Sequence, residues 1–379
     1  MFAATLVACA ATTDPAPLPS ARRPHVAAAD ATADFTVRLI GLRILDTAPS
    51  FGGTRVGGLS GIDYDAAADR YYLVSDDRSR HAPTRFYTAR LAIDADGFHD
   101  VALQTVVTLL RPDGLPYAVD EADGEAIRFD ATTNSVWWSS EGGRRVDAGR
   151  VSAVDPFVRR NALDGRALGE VPLDPMFRFG TPGRGPRGDL VFEGLSLSPD
   201  RQSLWVAMEA PLRQDGPVPT VASGAWTRLS LHRRAADGGF GALAAQYAYP
   251  VDPIPGGAWT SLHRQNGVSE VLAIDDDRLF VLERALTLGA GWRIRLYEAE
   301  RTGATDVAAV DALAGAAFVP MTKRLVLDFD TLGVRIDNLE GLCFGPTLAN
   351  GHRTLVLVSD DNFNPGETTQ FLAFELVPR

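Results

Sequence analysis

Lysine is almost absent: of the 37 basic residues in this 379-residue chain, only Lys323 is a lysine. A P-loop needs a lysine on the phosphates and Schiff-base chemistry needs a lysine amine, so both are excluded apart from that one position. Cysteine is nearly as scarce. Cys9 and Cys343 can build neither a disulfide framework nor a thiolate metal site. No run of about 18 apolar residues occurs, so nothing reads as a membrane-spanning helix, and helical periodicity is almost missing throughout. Basic residues are outnumbered 37 to 48 by acidic ones, for a formal charge of −11 and a pI near 5.1. Such a surface repels a phosphate backbone, so nucleic acid is not expected as a partner. What remains is ordinary for a globular chain: 45% hydrophobic and 22% charged, with 36 glycines and 24 prolines.

The first residues stand apart. Met1 to Ala8 is small and apolar, and Leu6-Val7-Ala8-Cys9 resembles a bacterial lipobox, in which the cysteine is lipidated. Residues 10–34 are rich in Ala, Thr and Pro and read as a disordered tether. This predicts export to the periplasm, or anchoring at the outer membrane through Cys9; the alternative is an Ala-rich tail. The folded domain is then 35–379.

A weak internal repeat runs through that domain. Ser60-Gly-Ile-Asp-Tyr precedes YYLVSDD, and Glu125-Ala-Ile-Arg-Phe precedes VWWSSE. Glu193-Gly-Leu-Ser-Leu precedes SLWVAME, Glu270-Val-Leu-Ala-Ile precedes RLFVLE, and Glu340-Gly-Leu-Cys-Phe precedes TLVLVSDD. Each copy reads as two short apolar strands around a turn. The heads at 60, 125, 193, 270 and 340 are 65 to 77 residues apart, with room for about four strands in each period. That is the blade of a β-propeller. Apolar residues on both strand faces fit sheets packed between two neighbours. The prediction is all-β: a single propeller of five four-stranded blades (six as the alternative), the strand FTVRLIGLRIL closing the last.

The repeat puts charge in register, because the start of the first strand and the end of the second meet at one edge. The paired positions are Ser60 with Asp76, Glu125 with Glu141, Glu193 with Glu209, Glu270 with Glu283, and Glu340 with Asp360. Asp77, Asp120, Glu121, Asp123 and Asp361 lie nearby in sequence. Closing the propeller gathers them at one rim, where carboxylates raise each other's pKa unless cations neutralise them. The expected metal ligands are Asp76, Glu125, Glu193, Glu270, Glu340 and Asp360. Calcium suits an irregular oxygen-only set, with Mg²⁺ or Mn²⁺ as alternatives. The segment Asp360 to Gly366 offers loop oxygens without EF-hand spacing. Arg78, Arg144, Arg213 and Arg284 follow the second acids, and Arg78 and Arg284 are the candidates to clamp an anionic substrate. The plainer alternative is that these acids end strands and pair with the arginines.

Other motifs are weaker. Gly183-Arg-Gly-Pro-Arg-Gly188 matches a dinucleotide fingerprint formally, but it contains Pro186 and leads into a strand. The surrounding Phe177–Asp189 stretch, with Arg178, Arg184 and Arg187, reads either as an inter-blade linker or as an anion-binding loop. Among the six histidines, His263 is the candidate general base.

Taken together, the motifs near 60, 125, 195, 340 and 360 resemble the bacterial phytase-like family, whose domain is called "esterase-like activity of phytase". The resemblance covers roughly residues 50 to 375. It implies calcium-assisted hydrolysis of phosphate monoesters or other esters at the propeller rim of an exported protein; within the acid ring, Glu193 is the candidate catalytic carboxylate. Calcium-dependent propeller phytases are six-bladed and use lysines, and the chain departs from them on both counts. A metal-dependent lactonase and a non-catalytic envelope-binding propeller with a structural metal are the alternatives. Its partner is a small anionic or ester substrate, and the protein is expected to be monomeric, touching membrane only through a lipid anchor.

Overall fold

The computed structural model describes residues 35–45, 50–147, 150–256, 264–287 and 291–379. The lipobox-like segment, Cys9 and the tether lie outside them, as does His263. Five four-stranded antiparallel sheets form five blades. Their inner strands are Leu59–Asp65, Gly124–Asp130, Phe192–Leu197, Arg264–Ala273 and Leu339–Phe344. Four blades run outward in chain order. The fifth ends with Phe35–Ile44 laid against Gln370–Pro378, so the two ends of the described chain share one sheet, with Arg38 Nε donating to Glu375 at 2.7 Å. Among the described residues no helix is long and apolar enough to cross a membrane.

The apolar strands have two buried faces because each blade is sandwiched. Five core clusters correspond to the five layers between neighbouring blades. Between blades one and two, Tyr72 stacks on Phe129 at 5.0 Å, while Trp138 meets Phe157 edge-on at 5.0 Å. Burying each such side chain contributes roughly 1.5–3 kcal/mol. Near the axis the inner strands come too close for side chains. A Cβ on Gly61 would sit 2.6 Å from the Glu125 carbonyl oxygen, and one on Gly194 would sit 2.9 Å from the Val271 nitrogen.

One charged side chain occupies the axis itself. Arg128, on the inner strand of blade two, is fully buried, and its guanidinium donates to one backbone carbonyl from every blade. The acceptors are Leu195 and Ile62 at 2.6 Å, Ile127 at 2.9 Å, Val271 at 3.1 Å and Leu342 at 3.2 Å. These carbonyls occupy equivalent positions in the five inner strands. A guanidinium has five N–H donors, one for each blade, and Nη2 shares its two among Val271, Leu342 and Glu270. Glu270, at a position where three other blades have glycine, supplies the counter-charge at 2.6 Å.

Removing one partner of a buried ion pair costs about 3–5 kcal/mol, because the other charge is left unpaired. Arg128→Met is therefore expected to lower unfolding free energy by that amount in urea titrations. The Arg128→Met/Glu270→Gln double variant should recover part of the loss. A single-variant loss below ~1 kcal/mol would contradict the plug.

Candidate functional site

Every inner strand carries a bulge, at its start in four blades and at mid-strand in blade four, and the bulges build the site. A break in register after Leu59, Phe192, Val268 and Leu339 leaves Ser60, Glu193, Ser269 and Glu340 unpaired; in blade two the break includes Glu125. A bulged residue bends its strand and re-aims its side chain. Ser60 Oγ accordingly reaches Glu125 at 2.9 Å on one side and Glu340 at 2.8 Å on the other. The residue after the one that faces the start of each bulge forms a neighbouring ring: Asp76, Glu141, Glu209 and Asp360 just past the ends of their second strands, and Arg284 within the longer second strand of blade four.

Blade four requires a correction. Matching by residue type puts Glu270 and Glu283 at the rim, whereas backbone pairing puts Ser269 and Arg284 there, each one residue away. Glu270 belongs to the axial plug, where Oε1 accepts from the Leu195 and Val271 amides at 2.9 Å. Burial pushes its carboxyl up to about 8 against the pull of Arg128. Glu283 faces another network, accepting from Tyr249 Oη at 2.9 Å and pairing with Lys323. Of the six expected ligands, the structure brings together Asp76, Glu125, Glu193, Glu340 and Asp360 but not Glu270. It adds Asp123, Glu141 and Glu209, whose sequence signal was the repeated 16-residue separation of 125/141 and 193/209 and the nearness of 123 to 125.

Two overlapping triads have one carboxylate oxygen from each member within 4.8 Å of the others: Asp123, Glu125 and Glu141, and then Glu141, Glu193 and Glu209. Arg284 stands where the other blades carry an acid. It pairs with Glu340, with Glu209 at 3.1 Å and with Glu193 at 3.6 Å, and it donates to Asn338 at 3.0 Å. Its guanidinium thus faces carboxylates. Arg78, a quarter exposed, pairs with Asp123 and lies 3.5 Å from Asp189. Arg213 bonds to the Pro186 carbonyl and has no ion pair among the described residues, and the Arg144 side chain is outside them.

Two arginines do not neutralise eight carboxyls. Burial, reinforced for most of the group by neighbouring acids, raises Asp76, Asp123, Glu141 and Glu193 well above the ordinary carboxylate range and raises Glu125 and Glu209 as well. Burial pushes Asp360 up to about 8. Several oxygens have no hydrogen-bond partner: Asp76 Oδ1, Asp123 Oδ1, Glu193 Oε2, Glu209 Oε2 and Asp360 Oδ2. Asp123, Glu193, Glu209 and Asp360 are at most 6% exposed, so water does not readily satisfy them. Buried orphan carboxylate oxygens are the donor set a hard divalent cation requires. The residues present fit such an ion.

Because these folded-state pKa values are raised, the metal-free native state binds more protons than the unfolded chain between about pH 4 and the folded value, which is about 8 for Asp360. Stability is then fully present below the unfolded pKa and is lost as pH rises through the folded one. The EDTA-treated protein should melt several degrees higher at pH 5 than at pH 8, with the difference shrinking in Ca²⁺. Arg284→Gln should steepen this pH dependence. Equal melting temperatures at the two pH values in EDTA would contradict the reading.

Residues 54–363 match the model of the phytase-like family, described as esterase-like activity of phytase. No curated protein matches the chain. Similar solved structures include the β-propeller domain of Cps50 (Swd1) from Myceliophteria thermophila, at 10% identity, covering 83% of this chain and 82% of that one, with a TM-score of 0.31. The tail fibre of Staphylococcus aureus phage P68 is also similar, at 10% identity, covering 90% and 53%, with a TM-score of 0.40. A bifunctional GH43-CE protein of Bacteroides eggerthii matches at 11% identity, covering 86% and 34%, with a TM-score of 0.40. With more than three quarters of its length matched by the family model, the chain belongs to the phytase-like family.

Proposed function

We propose that this protein is an exported, calcium-dependent hydrolase of phosphate monoesters or other esters, working at the acid-lined mouth of the propeller axis. The observation that carries the reading is the set of buried carboxylate oxygens without partners. The two triads sharing Glu141 would hold the cation. When bound, it supplies Lewis acidity toward an ester or phosphoryl oxygen and makes water more acidic. The chain's own residues supply the rest. Ser60 and Asn338 orient Glu125 and Glu340, and Arg284 holds Glu209 and Glu340 in place. Glu193, with Oε2 unpartnered, is the group to take up a proton from water. Arg78 is the more exposed of the two cations and is the one to meet an anionic group. Export rests on the N-terminal segment ending in Cys9, and His263 is retained as a second candidate base.

A second reading is favoured by the depth of burial: the cation would be structural, and the propeller a non-catalytic binding module. The two readings separate in one set of assays. The full chain, with EDTA, Ca²⁺, Mg²⁺ or Mn²⁺, is offered p-nitrophenyl phosphate, p-nitrophenyl acetate and a lactone. Turnover of one ester class that requires cation, prefers Ca²⁺ and falls by about 10²-fold or more in Glu193→Gln is the expected result. Turnover of the lactone alone would make it a lactonase. Ca²⁺ stabilisation of about 2.7 kcal/mol at a hundred times the dissociation constant, with no turnover, would overturn the hydrolase and support the structural cation.

A further inference from the structure

Arg284 is the one member of its ring that is not an acid, and each of its hydrogen-bond and ion-pair partners presents an oxygen. Its Nη2 lies 3.6 Å from Glu193 Oε1 and 3.1 Å from Glu209 Oε1. Its Nη1 pairs with Glu340 Oε1 and donates to Asn338 Oδ1 at 3.0 Å. Three carboxylates and one amide oxygen thus converge on a single buried cation. Such an oxygen-only set is what a hard divalent cation takes, whereas a guanidinium more often meets one carboxylate through its fork. Against burial, which lowers it, Glu193 and Glu209 hold the Arg284 pKa above the ordinary arginine value, so the side chain stays charged.

The surroundings are shaped for this cluster. Gly267, the strand partner of Arg284, leaves room for an acid: a Cβ there would lie 2.5 Å from Glu209 Cγ and 2.9 Å from its Oε1. Glu340 is spent entirely inside the cluster. Besides Arg284, its Oε1 accepts from Asn338 Nδ2 at 2.8 Å, and its Oε2 accepts from Ser60 Oγ at 2.8 Å. Glu193 and Glu209 behave differently, giving Oε1 to Arg284 and keeping Oε2 buried without a partner. These two form a triad with Glu141, whereas neither triad includes Glu340.

We infer that Arg284 is a resident cation filling a divalent-cation position of its own, among Glu193, Glu209, Glu340 and Asn338, and that it thereby fixes how many ions the mouth takes. The exchangeable cation is then confined to the triads on blades two and three. Glu340 anchors Arg284 and is not a metal ligand. Arg284, expected from sequence to clamp an anionic substrate, is committed to carboxylates instead. The inference deepens the cation reading of the mouth and holds whether or not the bound ion is catalytic.

Counting Ca²⁺ per full chain tests it, by equilibrium dialysis with metal analysis, and circular dichroism checks the fold in EDTA and in Ca²⁺. Arg284→Met removes the charge while keeping much of the bulk, and it should bind one Ca²⁺ more than the parent. Arg284→Met/Glu340→Gln should return to the parent number, because the new position loses a ligand. Glu340→Gln alone should keep the parent number. Folding of Arg284→Met in Ca²⁺ but not in EDTA would also support the inference, since the ion then replaces the guanidinium. An unchanged count in folded Arg284→Met, or loss of a Ca²⁺ in Glu340→Gln, would overturn it. If Arg284→Met folds in neither condition, Glu340→Gln decides. A parent that binds no Ca²⁺, beside an Arg284→Met that binds one, would keep the inference and remove the calcium-dependent hydrolase. Binding by the parent without the extra ion in Arg284→Met would do the reverse.

Discussion

One guanidinium ties the five blades together. Arg128 sits where the inner strands converge and accepts no compromise in number: its five N–H groups meet five equivalent carbonyls, one from each blade. A charge this deeply buried is tolerated only when paired and fully hydrogen-bonded, and Glu270 completes the pairing. The plug also divides the axis. The acid mouth lies on one side, and a cavity of about 250 Å³ lined by Asp63, Ser196, Arg201 and Arg353 opens on the other.

The mouth itself is a concentration of unfavourable electrostatics held by a favourable fold. Bulges at the start of the inner strands turn acids toward the axis, and the five apolar layers between blades supply the stabilisation that offsets their desolvation. Protons and cations compete for the same oxygens. Arg284 acts as a fixed cation in this group, occupying the one place in its ring where the repeat does not provide a carboxylate. The fold thus neutralises part of the charge with its own side chains and leaves a remainder on blades one to three and five.

Much of this was legible in the sequence, and the failures are local. The 65- to 77-residue period, the doubly apolar strands and the stray strand Phe35–Ile44 specify five blades and their closure, because strand pairing enforces them over many residues. The acids at 76, 125, 193, 340 and 360 are legible because the same two-strand pattern recurs every 65 to 77 residues with an acid at its head or its end. Blade four is the exception. There the head is Ser269-Glu270, and a glutamate next to the true bulge position attracts the alignment by one residue. A one-residue slip along a strand exchanges its faces. Matching by residue type therefore places Glu270 with the acids and has Arg284 follow an acid, whereas Arg284 replaces one. Arg128 gave a signal of its own, a charge inside the otherwise buried strand Glu125-Ala-Ile-Arg-Phe, but only the closed ring of carbonyls explains it.

The central claim is that the orphaned carboxylates form a cation site occupied in competition with protons. Calorimetric titration of Ca²⁺ into the EDTA-stripped, desalted full chain at pH 7, in two buffers of different ionisation enthalpy, tests it most directly. The account predicts saturable binding with a buffer-dependent heat that reports proton release, since carboxyls such as Asp360, raised to about 8, are partly protonated there. No saturable binding, or binding unchanged in Glu193→Gln and Glu141→Gln, would contradict it.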